Sequence, residues 1–391
     1  MLDKESQVLE EAIRDYLMWM ISSGYSQRIQ QIYEHALNHF LHFIKSKEVT
    51  WNDIFTSDTV ENFLEERCRT HGSAAAIRGL GRYLFHHKRI QKSIKRPCYQ
   101  LPEIYEDYLR YCEKLRQISS VRIVHIRRVL AAFHDDLEKF TIPLSSLRIE
   151  QVDAFLAEFH KPFAPGTCRI YRSHLRGFLS YLYHERKILP RALAPLVVGA
   201  PVFARAKPPR FLRPHEVQQL FDSLELSSAK ELRSYAMVQL AYFLGLRPVE
   251  ISRISLDDIS FSKGELTLRD RKSHNPMRLP IPGQTIKAIA AYVVGGRPKS
   301  QDRRLFLTLK APYGPTSSIV AIHSIRACMH KAGLSSSAYW LRHTYAQNLL
   351  EAGASLYEMK EMLGHDTIES TRNYLHIHIK LMREVLFDET L

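Results

Sequence analysis

Apolar residues recur at intervals of three and four along most of the chain, the pattern of helices that bury one face. Typical runs are Leu37, Phe40, Leu41 and Ile44, and later Val129, Leu130 and Phe133. Strict alternation occurs between residues 264 and 282, where two short apolar runs flank a polar turn, and it predicts a β-hairpin. We therefore expect a mainly α protein with a small β-sheet in its C-terminal domain.

The first half of the chain contains an internal repeat. Asp15-Tyr16-Leu17 recurs as Asp107-Tyr108-Leu109, and segment 77–90 recurs as segment 175–188 with Arg, Gly, Tyr, Leu, His and Ile in common. Chance similarity between amphipathic helices is the alternative, but several blocks in register favour a true repeat. Each copy is predicted to form a small helical bundle.

These patterns divide the chain into four segments. We expect a first helical bundle over 1–97, a second over 98–192, a linker over 193–209 and a third, larger domain over 210–391. The linker is predicted from closely spaced prolines and from the loss of apolar periodicity between them.

The charge points to a polyanionic partner. The 391 residues carry 55 Lys and Arg against 41 Asp and Glu, a formal net charge of +14. A surplus of this size favours nucleic acid or an anionic membrane surface as partner. The start has no signal-peptide pattern and no long apolar run follows, so we expect a cytoplasmic protein without a membrane span. The five cysteines are scattered, which argues against a zinc cluster or a disulfide framework.

The last helix of each bundle is its most basic one. A solvated charged face is the plain interpretation of one such helix, but recurrence in both copies favours contact with DNA phosphates. The predicted DNA-binding residues are Arg78, Arg82, Lys88 and Arg89 in the first bundle, and Arg169, Arg172 and Arg176 in the second.

Several separate motifs of the C-terminal domain carry candidate chemistry. Arg247 lies between a helix ending near Gly245 and a helix opened by Pro248, and Lys272 lies in the predicted hairpin. Taken alone, Arg247 could simply pair with Glu250, and Lys272 could be one more surface lysine.

Three further candidates lie on consecutive predicted helices. Arg342 falls near the N-terminus of a helix over 337–350. A second helix begins at Ser355 with Glu358 as a capping box and ends at Gly364, which puts His365 just past its end. The next helix carries Tyr374.

Together, Gly245-Leu246-Arg247, Lys272, Leu341-Arg342-His343, Leu363-Gly364-His365 and Tyr374 resemble the tyrosine recombinase (phage integrase) family in order and spacing. The resemblance covers 205–391. It implies a tyrosine recombinase catalytic domain, with segment 98–192 similar to the family's core-binding, SAM-like bundle and segment 1–97 similar to it a second time.

The resemblance implies a site-specific recombinase that cleaves and rejoins double-stranded DNA through a 3′-phosphotyrosyl intermediate. Arg247 and Arg342 would then clamp the phosphate, Lys272 would protonate the leaving 5′ oxygen, and His365 would support the phosphate or the nucleophile by hydrogen bonding. Tyr374 would be the nucleophile, with a pKa that cationic neighbours lower. Such a reaction would require no ATP, metal or other cofactor.

One position departs from the family pattern. Tyr339 stands where the family usually has a histidine, three residues before Arg342, and we expect it to support the phosphate as a hydrogen-bond donor rather than to shuttle protons. His343 also belongs to the motif, and a packing or supporting role is expected for it rather than DNA contact.

The tail from 379 to 391 has apolar residues at helical spacing. It could pack on its own domain; the resemblance implies instead that it docks on a neighbouring protomer in a homo-tetramer on two DNA sites, with or without accessory or sister recombinases. A recombinase of the integrase or transposon type is expected, and integration, excision, cointegrate resolution and transposition stay open as the event. Two alternatives stay open: a type IB topoisomerase-like relaxing enzyme, and a catalytically silent DNA-binding accessory.

Overall fold

The computed structural model describes residues 2–47, 49–51, 53–66, 72–90, 101–199, 210–269, 277–364, 367, 368, 371 and 374. The predicted fold class is confirmed, because the described part of the chain is mostly helical and contains a small sheet. It divides into two compact units, Met1–Ser93 with Ala206–Leu391, and Ile94–Arg205. In the part of the chain that is described, no helix combines the length and apolar character needed to cross a membrane.

The first bundle consists of α1 (Leu2–Ser22), α2 (Gln27–Lys47), α3 (Ser57–Glu66) and α4 (Ser73–His86). Helices α1, α2 and α4 pack on one another, and α3 packs on α4. Tyr16 is buried where α1 meets α4, and a Cβ placed on Gly79 would lie 2.2 Å from the Tyr16 hydroxyl oxygen. The repeated glycine is therefore what lets these two helices approach so closely.

The second bundle consists of α5 (Glu103–Lys114), α6 (Ser120–Lys139), α7 (Ile149–Phe159) and α8 (Pro165–His184). Tyr108 and Gly177 repeat the close approach of the first bundle, because a Cβ on Gly177 would lie 2.5 Å from the Tyr108 hydroxyl oxygen. The bundle extends beyond residue 192: Leu193 and Val197 are buried in its core, although the sequence places them in the linker.

The C-terminal region contains α9 (Pro214–Asp222), α10 (Ala229–Phe243), α11 (Pro248–Arg253), α12 (Gly283–Gly295), α13 (Ser318–Lys331), α14 (Ala338–Glu351) and α15 (Leu356–Leu363). Helix α10 is buried over most of its length and packs against α12, α13 and α14. It is the centre of the core.

The predicted hairpin is present as two strands of a three-stranded antiparallel sheet. Strand β1 (Ile259–Ser260) pairs with β2 (Glu265–Leu268), and β2 pairs with β3 (Met277–Pro280) in a register that places Leu266 opposite Leu279. Leu266, Leu268 and Leu279 are buried, whereas the residues between them are more exposed. The alternation of the sequence thus reflects one buried sheet face.

Candidate active site

Arg247 is held at a sharp junction between two helices. Helix α10 ends at Phe243, and Gly245 follows with φ +60, where a Cβ would lie 2.3 Å from a ring carbon of Tyr345. Pro248 then occupies the first turn of α11, as its fixed φ favours. This turn leaves Arg247 as the N-cap residue of α11, with its side chain partly exposed.

Glu250 orients this arginine. The Arg247 Nη1 group donates to Glu250 Oε1 at 2.9 Å, and the Arg247 backbone N–H donates to Glu250 Oε2 at 2.7 Å. The guanidinium also donates to the Gly364 carbonyl at 3.3 Å. The plain expectation of an Arg247–Glu250 pair is therefore correct, and it fixes the arginine rather than removing it from the site.

Arg342 lies beside the same carboxylate. It is 4 % exposed on α14, and its guanidinium donates to the carbonyls of Gly245 and Leu363, each at 2.6 Å. Its Nη1 is 4.0 Å from Glu250 Oε2. One buried carboxylate thus lies between two guanidinium groups, so these three side chains together carry a net positive charge.

The C-terminal end of α15 lies against both arginines. Ser355 and Glu358 form the predicted capping box, and Gly364 ends the helix in the left-handed region at φ 62. The carbonyls of Leu363 and Gly364 accept from the two arginines. His365 follows directly in the chain but lies outside the described residues.

Tyr374 is buried within the same cluster. It is 4 % exposed and packs with Ala346, Leu350, Met359 and Leu363. Its hydroxyl is 2.8 Å from His343 Nδ1, and Arg342 donates a hydrogen bond to it.

Burial and the neighbouring arginines act on the pKa of Tyr374 in opposite directions. Burial raises the pKa, while the charges of Arg342 and Arg247 lower it. The cationic neighbours thus lower the pKa as expected, but burial outweighs them and the net pKa is raised. The reason is that the phenol is desolvated on most sides, which disfavours its charged form more than the arginines favour it.

His343 is kept neutral by its position. Burial, with the charge of Arg342 as a smaller cause, lowers its pKa to about 4. The sequence gives it only a packing or supporting role. Its position directly after Arg342 was the available signal, but contact with Tyr374, 31 residues further on, depends on how α14 and the last segment pack.

The predicted site residues therefore divide into three groups. Arg247, Arg342 and Tyr374 are brought together. Tyr339 lies in the first turn of α14 and is 45 % exposed. Lys272, His365 and the tail over 379–391 lie outside the described residues.

The predicted DNA-binding residues of the second bundle share one helix face. Arg169, Arg172 and Arg176 are spaced by three and four along α8, and Arg169 and Arg176 are exposed. In the first bundle, Arg78 is partly buried and Arg82 exposed on α4, with Lys88 exposed just beyond it. Arg89 pairs with Asp15 at 2.7 Å.

A tyrosine hydroxyl beside two guanidinium groups in a mainly helical domain has the composition of a phosphoryl-transfer site with a tyrosine nucleophile. Residues 210–380 match the model of the phage integrase family. Residues 210–380 thus form a domain of the phage integrase kind, and the tyrosine recombinases that carry such domains are site-specific DNA recombinases that act by strand transesterification.

Two curated relatives illustrate the similarity. A putative integrase/recombinase, y4rA, of Sinorhizobium fredii is 28% identical over 387 residues, covering 93% of this chain and 90% of its own. The tyrosine recombinase XerC of Halalkalibacterium halodurans is 27% identical over 290 residues, covering 71% of this chain and 94% of its own. The first relative matches both bundles as well as the C-terminal domain.

Solved structures share the fold. The XerH site-specific recombinase bound to palindromic difH substrate, in a post-cleavage complex, aligns with a TM-score of 0.59 at 17% identity, covering 98% of this chain and 96% of that one. The Tn1549 transposon integrase in complex with transposon right end DNA aligns with a TM-score of 0.58 at 14% identity, covering 74% and 99%.

Proposed function

We propose that this chain cleaves and rejoins duplex DNA at specific sites through a 3′-phosphotyrosyl bond to Tyr374. The observation that carries the proposal is the hydroxyl of Tyr374 lying within hydrogen-bond reach of Arg342, in the field of Arg247. Attack by this hydroxyl on a phosphodiester conserves the energy of the broken bond in the new one, so rejoining needs neither ATP nor a metal.

The two arginines match the charge that develops during this reaction. Negative charge builds on the nonbridging phosphate oxygens, and guanidinium groups donate to two such oxygens at once while staying charged at any working pH. Glu250 holds Arg247 in place, and carbonyls at the ends of α10 and α15 hold Arg342. Preorganised donors of this kind lower the barrier because they need no reorientation when the charge appears.

Three further roles complete the proposed site. Lys272 protonates the leaving 5′ oxygen, and His365 supports the phosphate or the nucleophile. Tyr339 is exposed enough to donate a hydrogen bond to phosphate from the first turn of α14. Each of these roles rests on the family motif and on the position of the residue in the chain.

In this proposal the two helical bundles bind the DNA backbone. The arginine face of α8, formed by Arg169, Arg172 and Arg176, and the basic end of α4, with Arg78, Arg82, Lys88 and Arg89, would contact phosphates. Such contacts give affinity and salt dependence without reading sequence.

The assembly we propose is a homo-tetramer on two DNA sites, with or without accessory or sister recombinases. The relative named putative integrase/recombinase and the transposon integrase with a similar fold support integration or transposition of a mobile element as the event. A type IB topoisomerase-like activity would use the same arginines and tyrosine but no second site; relaxation of supercoiled plasmid without any recombination site would reveal it.

Covalent capture tests the proposal. The protein is incubated in EDTA with nicked duplexes drawn from DNA flanking its gene, denatured in SDS, and scored for attached DNA, with Tyr374→Phe in parallel. We expect adducts with the wild type and none with the variant. Binding without adducts in either protein would contradict catalysis and favour a silent DNA-binding accessory.

A further inference from the structure

Among the described residues, Arg342 and His343 contact the hydroxyl of Tyr374, and the two side chains differ in character. Arg342 has only donor groups, so it can bond to the phenol oxygen but cannot accept the phenol proton. His343 Nδ1 lies 2.8 Å from the same oxygen. With the ring proton on Nε2, Nδ1 presents a lone pair to the O–H, and the phenol then has one donor and one acceptor partner.

We propose that His343 is the general base that takes the proton of Tyr374 during strand cleavage. This inference rests on the proposed function. In the step, the O–H proton of Tyr374 moves to Nδ1 of His343 as the phenol oxygen forms its bond to phosphorus. The bond from phosphorus to the 5′ oxygen breaks, and that oxygen takes its proton from the general acid, for which Lys272 is the candidate. Rejoining reverses both transfers.

The location of the pair suits this role. Because burial raises the pKa of Tyr374, solvent alone leaves the nucleophile in its unreactive, protonated form at neutral pH. His343 is neutral at that pH because its pKa is lowered to about 4, so its Nδ1 can present a lone pair to the phenol proton. Of the residues that the structure describes, the charged groups that act on the pair are Arg342, on both rings, and Arg247, on the phenol.

The transferred proton would make His343 an imidazolium next to Arg342, which by itself is unfavourable. The phosphate that enters between the arginines brings the negative charge that offsets this repulsion. Proton transfer is thereby tied to the presence of the scissile phosphate, and the buried tyrosine stays unreactive without it.

The wild-type protein gives the first test, using single-turnover cleavage of a nicked duplex between pH 6 and 9. A base that is already deprotonated at pH 6 predicts a nearly flat rate. A tyrosine ionised by solvent predicts a rate that rises about tenfold per pH unit, and that result would overturn the proposal.

Substitution gives the second test. His343→Gln keeps a hydrogen-bond acceptor near the phenol but cannot take its proton. We expect cleavage at pH 7 to fall roughly a hundredfold and to regain a dependence on pH, with DNA affinity unchanged. Added imidazole should partly restore cleavage by His343→Ala, which a purely structural histidine would not allow. Cleavage within threefold of wild type, with the same pH profile, would contradict the role.

A substrate with a sulfur leaving group distinguishes a residue that acts as the base from one that acts as the acid. A substrate with 5′ sulfur in place of the bridging oxygen needs no protonation of the leaving group, so it should rescue Lys272→Ala but not His343→Gln. Rescue of both variants alike would count against His343 as base. The proposed function fails separately, if the wild type itself forms no adduct on either substrate.

Discussion

The two helical bundles have the same internal packing but different surfaces. Tyr16 and Tyr83 in the first bundle lie with ring centroids 5.4 Å apart at 50°, and Tyr108 and Tyr181 in the second lie 5.2 Å apart at 47°. Each bundle also has an ion pair from its first helix to the turn after its last, Asp15 with Arg89 and Asp107 with Arg186.

The surfaces differ at the start of the last helix. In the repeat alignment, Arg176 corresponds to Arg78, but Arg169 and Arg172 correspond to His71 and Ala74. The interior of the repeat is kept because close packing tolerates little change, whereas the surface is free to change its partner. Recurrence therefore argues strongly for a shared fold and less strongly for equal DNA contact.

The largest expected effect concerns DNA affinity. Replacing Arg169, Arg172 and Arg176 by alanine should weaken binding about a hundredfold and reduce the slope of log affinity against log salt by about 3, since each phosphate contact contributes about 0.9. Fluorescence anisotropy across a salt series measures both quantities.

The matched change in the first bundle sharpens the comparison. Replacing Arg78 and Arg82 by alanine should reduce the slope by at most about 2. A larger loss from the first bundle than from the second would show that the α8 face is not the principal phosphate contact.

Acid should destabilise the second bundle more than the first. His174 is buried in α8, where the alignment gives Ala76 in α4, and Nε2 of His174 has no hydrogen-bond partner within the described chain. Burial, then the charges of Arg122 and His125, lower its pKa to about 4. The folded state thus binds fewer protons than the unfolded state, so stability is full above pH 6.5 and falls as the pH drops toward 4.

At pH 5 this group should cost the second bundle about 2 kcal/mol of unfolding free energy relative to pH 7. Hydrogen exchange of α8 amides, corrected for intrinsic rates, measures it, and α4 serves as the internal reference. His174→Ala should remove much of this difference between pH 5 and pH 7. The remainder is expected from His160 in the same bundle, because burial lowers its pKa as well. An unchanged pH response in the variant would rule His174 out as its source.

A smaller effect tests the shared interior. Gly177→Ala should lower the unfolding free energy by roughly 1 to 2 kcal/mol, because the new methyl overlaps the Tyr108 hydroxyl while gaining some helix propensity. Denaturant unfolding of the full chain measures the change. Adding Tyr108→Phe should recover part of the loss, and Gly79→Ala with Tyr16→Phe should behave alike.

Gly166 provides the control in the same helix. A Cβ there would meet nothing within 4 Å, so Gly166→Ala should be neutral or slightly stabilising. Equal destabilisation by Gly166→Ala and Gly177→Ala would mean that the tyrosine contact is not the cause.

Local chemistry made much of the C-terminal domain predictable. Pro248 opens α11, Ser355 and Glu358 cap α15, Gly364 ends it, and the alternation around Leu266 marks the hairpin. Each of these signals acts within a few residues, so the sequence carries it directly.

The contacts that make the site could not be predicted in the same way. The bonds from Arg342 to the Gly245 and Leu363 carbonyls, and from Tyr374 to His343, join residues that are far apart in the chain. They depend on how α10, α14 and α15 pack. The burial that raises the pKa of Tyr374 could not be predicted for the same reason, because burial is a property of the packed domain.

The most direct test of the central claim is to identify the bond between protein and DNA. Duplexes labelled at either end of the cleaved strand are trapped on the wild-type protein, and the DNA-linked peptide is sequenced by mass spectrometry. We predict that Tyr374 carries the 3′ phosphate and that the other fragment ends in a free 5′ hydroxyl. Linkage to a 5′ phosphate, or to another residue such as Tyr339, would contradict the account.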